Sequence, residues 1–63
     1  MCEANAYLLE AKGETEIMKE VDFMDVQGDY VLFRDLLGKQ KKVKGRVRTV
    51  NFAEHKILVE KAR

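Results

Sequence analysis

From residue 40 onward the chain alternates, with Lys42, Lys44, Arg46 and Arg48 on one parity and Val43, Gly45, Val47 and Thr49 on the other. A period of two belongs to an extended strand with one wet and one dry face. Gln40 to Val50 is therefore predicted as a long, half-buried strand, and Gly45 is where it can bend around a small barrel. Past Arg48 the apolar residues Val50 and Phe52 move onto the parity of the basic ones, which places a bulge or a strand end near Thr49. Asn51 to Lys56 reads as a hairpin loop that leads into a strand over Ile57 to Glu60. Upstream, Ala4 to Glu10 carries Ala6 and Leu8 on one face and Tyr7 and Leu9 on the other, the pattern of a strand covered on both sides, inside a barrel or at a subunit contact. Tyr30 to Arg34 is a short run of β-formers and is expected to be a central strand. The stretch Glu14 to Val26 reads two ways. Ile17, Met18, Val21 and Met24 fit one face of a helix, whereas Ile17, Val21 and Phe23 fit a strand. Turn glycines close by on both sides favour the strand.

Gly13, Gly28 and Gly38 each fall between apolar segments, where a turn with positive φ is needed. With no proline, repeat or low-complexity run there is no linker to place, so residues 1–63 are expected to form one domain. Five short strands in this length imply an all-β fold, a small SH3-like or Sm-like antiparallel barrel. A chain of 63 residues is in the range where only about 60% of the unfolded surface is buried on folding, so dimerisation is an expected aid to stability.

Composition narrows the class of function. Hydrophobic residues at 46% and charged residues at 37% are ordinary for a folded domain, and a net charge of +1 argues against general polyanion binding. One cysteine cannot form an intrachain disulfide, and there is neither a signal-peptide pattern nor an apolar run near ~18 residues, so a cytoplasmic location is expected. The charge is unevenly spread. Residues 1–35 hold nine acidic and three basic side chains, and residues 36–63 hold two acidic and nine basic ones, which favours pairing of the two halves across a sheet or between subunits.

The single cysteine, Cys2, is the leading chemical candidate. Cysteine is small enough for Met1 to be removed, and a free α-amine beside a thiolate on one carbon closes a five-membered chelate ring around a metal. Two such termini from two chains would supply a planar N2S2 set, which suits Ni(II) or Cu(II). The plainer reading of a lone cysteine near a terminus is a small buried hydrophobe. His55, in Phe-Ala-Glu-His-Lys, reads as a solvated loop residue, or as a further metal donor if its loop folds towards the N-terminus. The basic run Lys39, Lys41, Lys42, Lys44, Arg46 and Arg48 could follow a phosphate backbone, with Tyr30, Phe33 or Phe52 as stacking platforms. The plainer reading is a solvated face paired with carboxylates such as Glu16 and Glu20, and it is favoured because three aromatics in so small a chain are expected in the core and the acidic half would repel nucleic acid. No EF-hand loop, phosphate-binding glycine loop, Ser-His-Asp grouping or Cys-His grouping at a recognisable spacing is present, so an enzyme is not expected.

Several segments together resemble one family. Met-Cys-Glu-Ala-Asn-Ala-Tyr-Leu at residues 1–8, Gly28-Asp29-Tyr30-Val31, Leu32-Phe33-Arg34-Asp35-Leu36-Leu37-Gly38, Val43-Lys44-Gly45-Arg46-Val47 and Phe52-Ala53-Glu54-His55-Lys56-Ile57 look like the CooT family. These are small nickel-binding proteins whose founding member serves carbon monoxide dehydrogenase maturation; similar sequences have also been labelled predicted RNA-binding proteins. The resemblance implies that Cys2 holds the position of the family's nickel ligand, and that the protein is a homodimer with metal at the subunit interface. The other matched positions look like framework. The expected function is that of a Ni(II)-binding accessory protein, a metallochaperone or store for metalloenzyme maturation, with carbon monoxide dehydrogenase or another nickel enzyme as client. The alternative is an Sm-like RNA-binding module using the basic strand Lys39 to Arg48, and a weaker third is a structural subunit without ligand.

Overall fold

A computed structural model describes residues 3–61. Five strands, β1 (Ala4–Glu10), β2 (Gly13–Gln27), β3 (Tyr30–Asp35), β4 (Gln40–Asn51) and β5 (Lys56–Lys61), follow one another around a closed barrel. Each strand runs antiparallel to its predecessor. The number of strands is odd, so the first and last point the same way. The ring accordingly closes through a parallel ladder between β1 and β5, from Asn5↔Lys56 to Leu9↔Glu60. The five-stranded antiparallel barrel agrees with the sequence reading, and the ladder that closes it is parallel.

The interior is small. Ala6, Val31, Phe33 and Val59 are wholly buried, Met18, Val21 and Ile57 nearly so, and Val43 and Val47 of β4 pack against this cluster from the rim. Alternation accounts for the inward faces of β3 and β5, where Val31 and Phe33, and Ile57 and Val59, stand two apart. On β1 it accounts for Ala6 and the half-buried Leu8.

β2 does not alternate. Its inward residues Met18, Val21 and Met24 are spaced by three, the interval that imitates a helix. Bulges cause it. Ala4 pairs with Val21 and Ala6 with Met18, so β2 carries one residue more than β1 there, and further shifts lie between Ala6 and Tyr7 and between Val21 and Phe23. Each extra residue returns the next apolar side chain to the interior. Phe23, placed by the strand reading on the same face as Val21, is instead 41% exposed.

β4 changes neighbours at Gly45. Up to Lys44 it pairs with β3, and from Gly45 onward with β5. A Cβ at Gly45 would collide with the backbone carbonyl oxygen of Glu60, so only glycine fits this crossing. The register of β4 against β5 shifts between Val47 and Thr49, at the predicted bulge. The acidic and basic halves meet in two ion pairs, Lys56 to Glu14 at 2.7 Å and Lys61 to Glu10 at 3.9 Å. The hydrogen bond that the Lys56 ammonium donates to the Glu14 carboxylate holds that ammonium above its ordinary pKa. Among the described residues no helix is long and apolar enough to cross a membrane.

Candidate metal centre

Cys2 lies outside the described residues. Its attachment point is well defined. β1 begins at Ala4, and Asn5 donates its amide N–H to the carbonyl of His55 at 2.8 Å. The side chain of Asn5 makes a second bond on the other flank of β1, where Oδ1 accepts the amide N–H of Glu20 at 3.2 Å. The turn that carries His55 is built locally. Asn51 Oδ1 accepts the amide N–H of Glu54, three residues on, at 3.0 Å, a capping contact at the start of the turn, and His55 itself adopts φ 55°. The parallel seam then sets this turn beside the start of β1. His55 and Ala4 line one open cleft of about 280 Å³, together with Val21, Phe23, Val50 and Phe52. The histidine loop thus folds towards the N-terminal end of the chain, a placement that sequence spacing left open.

The cleft is mainly apolar. Phe52 at its rim is 79% exposed, and Val50 and Phe23 are partly open to solvent. The Arg34 guanidinium lies 4.7 Å from the Phe23 ring centre and makes an ion pair with Asp22 at 3.4 Å. Among the described residues no three His, Cys, Asp or Glu side chains come together as a metal site.

The basic face has a different character. Lys42, Lys44, Arg46 and Arg48 all stand exposed on β4. The carboxylates expected to neutralise them, Glu16 and Glu20, make no ion pair with them among the described residues; the contact seen is Arg48 to Glu60 at 3.4 Å. Of the three proposed stacking platforms, Phe33 is wholly buried in the core and cannot stack on a base. Phe52 belongs to the cleft at His55, and Tyr30 stands beside the strip with the Lys42 ammonium 5.4 Å from its ring centre. A second cleft, of about 640 Å³, lies between β2 and the turn after β3. Its walls mix Glu16, Glu20 and Asp35 with Lys19, Lys39 and Lys41, so it presents no single sign of charge.

The sequence reading missed Asn5. An amide residue inside a run of strand formers is a weak anomaly, and that was the available signal.

A search of known proteins places the chain. Residues 1–60 match the family described as CO dehydrogenase accessory protein CooT. An uncharacterized protein of Methanothermobacter thermautotrophicus is 32% identical over 60 residues, covering 95% of this chain and 89% of the relative. Another uncharacterized protein, from Methanocaldococcus jannaschii, is 33% identical over 60 residues, covering 95% of this chain and 98% of the relative. A crystal structure assigned to CooT from Carboxydothermus hydrogenoformans superposes with a TM-score of 0.90 at 24% identity, covering 98% of this chain and all of that one, a likeness of fold. With residues 1–60 matched by the family model, the chain belongs to the CooT family of CO dehydrogenase accessory proteins.

Proposed function

We propose that this protein binds Ni(II) through Cys2 and acts as a nickel chaperone or store in metalloenzyme maturation, with carbon monoxide dehydrogenase as the candidate client. The observation that carries the reading is the family match, which begins at residue 1 and so includes Cys2. Donor chemistry supports it. Thiolate sulfur, terminal or amide nitrogen and an imidazole suit Ni(II) far better than a hard cation such as Ca²⁺ or Mg²⁺, and His55 lies at the end of the barrel where β1 begins. Nickel is here a cargo, held and passed on.

The apolar cleft supports a homodimer. Phe23, Val50 and Phe52 leave apolar surface open beside the start of β1, and a second copy covering it would bring two N-termini together. A processed Cys2 offers two planar donors, so a square-planar site is completed by the second chain.

Titration of Ni(II) into the intact protein and into Cys2→Ser, read by sulfur-to-nickel charge-transfer absorption, tests the ligand. The intact protein is expected to bind tightly and to lose affinity as pH falls from about 8 to about 6, because the thiol must shed its proton. Cys2→Ser is expected to keep its fold, since a terminal residue adds little to the core, and to lose both the absorption and tight binding. Unchanged affinity in that variant would end the nickel-thiolate reading.

A further inference from the structure

Lys42, Lys44 and Arg46 stand on the face of β4 opposite Val43 and Val47, which pack against the core, and all three are exposed. Neighbours in this row are about 7 Å apart, inside the screening length of about 8 Å at physiological ionic strength. The three cations therefore repel one another and act outward as one field. Among the described residues none of them makes an ion pair. The nearby carboxylates are engaged elsewhere. Glu60, in register with Arg46, bonds Arg48 at 3.4 Å, and Asp25, on the far side of β3, accepts a hydrogen bond from Gln27 at 3.0 Å. Beside the cations the sheet is apolar. Leu32 is in register with Lys42 and Tyr30 with Lys44, and both face outward because Val31 and Phe33 point into the barrel. A polypeptide laid over this face would take water from Leu32 and Tyr30, and the lower local dielectric would strengthen each charge pair made to it. RNA is served less well, since bases stack on open ring faces and the Lys42 ammonium lies over the Tyr30 ring, 5.4 Å from its centre.

We infer that the outer face of β4, with Lys42, Lys44 and Arg46 flanked by Tyr30 and Leu32, is the surface on which this protein docks an acidic, extended segment of its client enzyme. The periods agree. Carboxylates on every second residue of an extended segment recur at the same spacing of about 7 Å, so one segment meets all three cations in register. The inference rests on the accessory-protein reading, which requires a client, and adds where on the barrel that client is held. Complementary charge of this kind sets the choice of partner and the rate of encounter more than the tightness of the complex. That suits a carrier, which must leave its client after delivery.

The test measures binding to nickel-free carbon monoxide dehydrogenase at low and at high salt. The double variant Lys42→Glu/Lys44→Glu is set against Lys12→Glu/Lys19→Glu, which changes the net charge equally at exposed positions away from the row. The parent is expected to bind the enzyme and to weaken as salt rises. Reversal in the row should cost about 100-fold in affinity, whereas the control pair should stay within about threefold of the parent. Both doubles should keep the parent's Tm and Ni(II) affinity. Should the reversed row fail to fold, Lys42→Gln/Lys44→Gln takes its place, with a loss of about tenfold. No binding of the enzyme by the parent at low salt, or equal loss in both doubles, would overturn the inference. So would a dimer that the row variant alone dissociates, which would place a second copy on this face, or micromolar binding of a single-stranded oligouridylate that displaces the enzyme. Cys2→Ser is expected to dock as the parent does. Tight nickel binding by Cys2→Ser would therefore remove the nickel-thiolate reading while the docking result stood, and a failed docking test would leave the nickel titration untouched.

Discussion

Gly45 sits where β4 leaves β3 and joins β5, with the Glu60 carbonyl in the space a side chain would need. Backbone cannot yield as the end of a flexible side chain can. Gly45→Ala is therefore expected to destabilise the barrel by about 1–3 kcal/mol, lowering Tm by roughly 4–8 °C for each kcal/mol in a domain of this size. A thermal melt with parent-like Tm would show that β4 and β5 can separate at that point without loss. The need for glycine at this bend was legible from one gap in a basic and apolar alternation. The chelate proposed at Cys2 was argued from sequence for a related reason, since amine and thiolate on one α-carbon need no help from the fold to hold a metal. Asn5 and His55 are the contrary case. Their proximity depends on the β2 bulge, the turn begun by Asn51 and the parallel seam; that turn was legible as the Asn51 to Lys56 loop, whereas the bulge and the seam lie on partner strands remote in sequence.

At the scale of elements, β2 and β4 teach opposite lessons. β4 kept its alternation through Val47, and the later shift of parity marked a real bulge. In β2 the bulges restored apolar side chains to the core at every third position, so a strand carried the period of a helix. Turn glycines resolved the type of element but not which side chains face inward. The exposed strip of β4 also divides the two functional readings. With Phe33 buried, Lys42, Lys44, Arg46 and Arg48 have Tyr30 as the aromatic beside them, poor equipment for gripping successive bases. Single-stranded RNA is expected to bind no more tightly than about 10⁻⁴ M at physiological salt. Micromolar binding that vanishes when those four residues are neutralised, with a log-log salt slope of roughly −0.7 per phosphate contacted, would promote the RNA-binding reading.

For the whole molecule, five strands alternating in direction must meet in parallel at the seam, and this single topological fact gathers the start of β1, the His55 turn and the exposed aromatics at one place. The core beneath is built on seven buried side chains among the described residues, so a second copy over Phe23, Val50 and Phe52 would add apolar burial that the isolated barrel lacks. The same contact would join two Cys2 termini. Ring geometry then sets the stoichiometry. With Met1 removed, each chain offers one amine and one sulfur, and one nickel per dimer is expected. With Met1 retained, its amine, the deprotonated Cys2 amide nitrogen and the Cys2 sulfur fill three planar positions from one chain, and one nickel per chain becomes accessible. Native mass spectrometry of processed and unprocessed protein, with and without Ni(II), reads the N-terminal mass, the oligomer and the metal count together. The account predicts a processed dimer carrying one nickel that Cys2→Ser fails to hold; one nickel on each processed monomer, with no dimer formed, would contradict it.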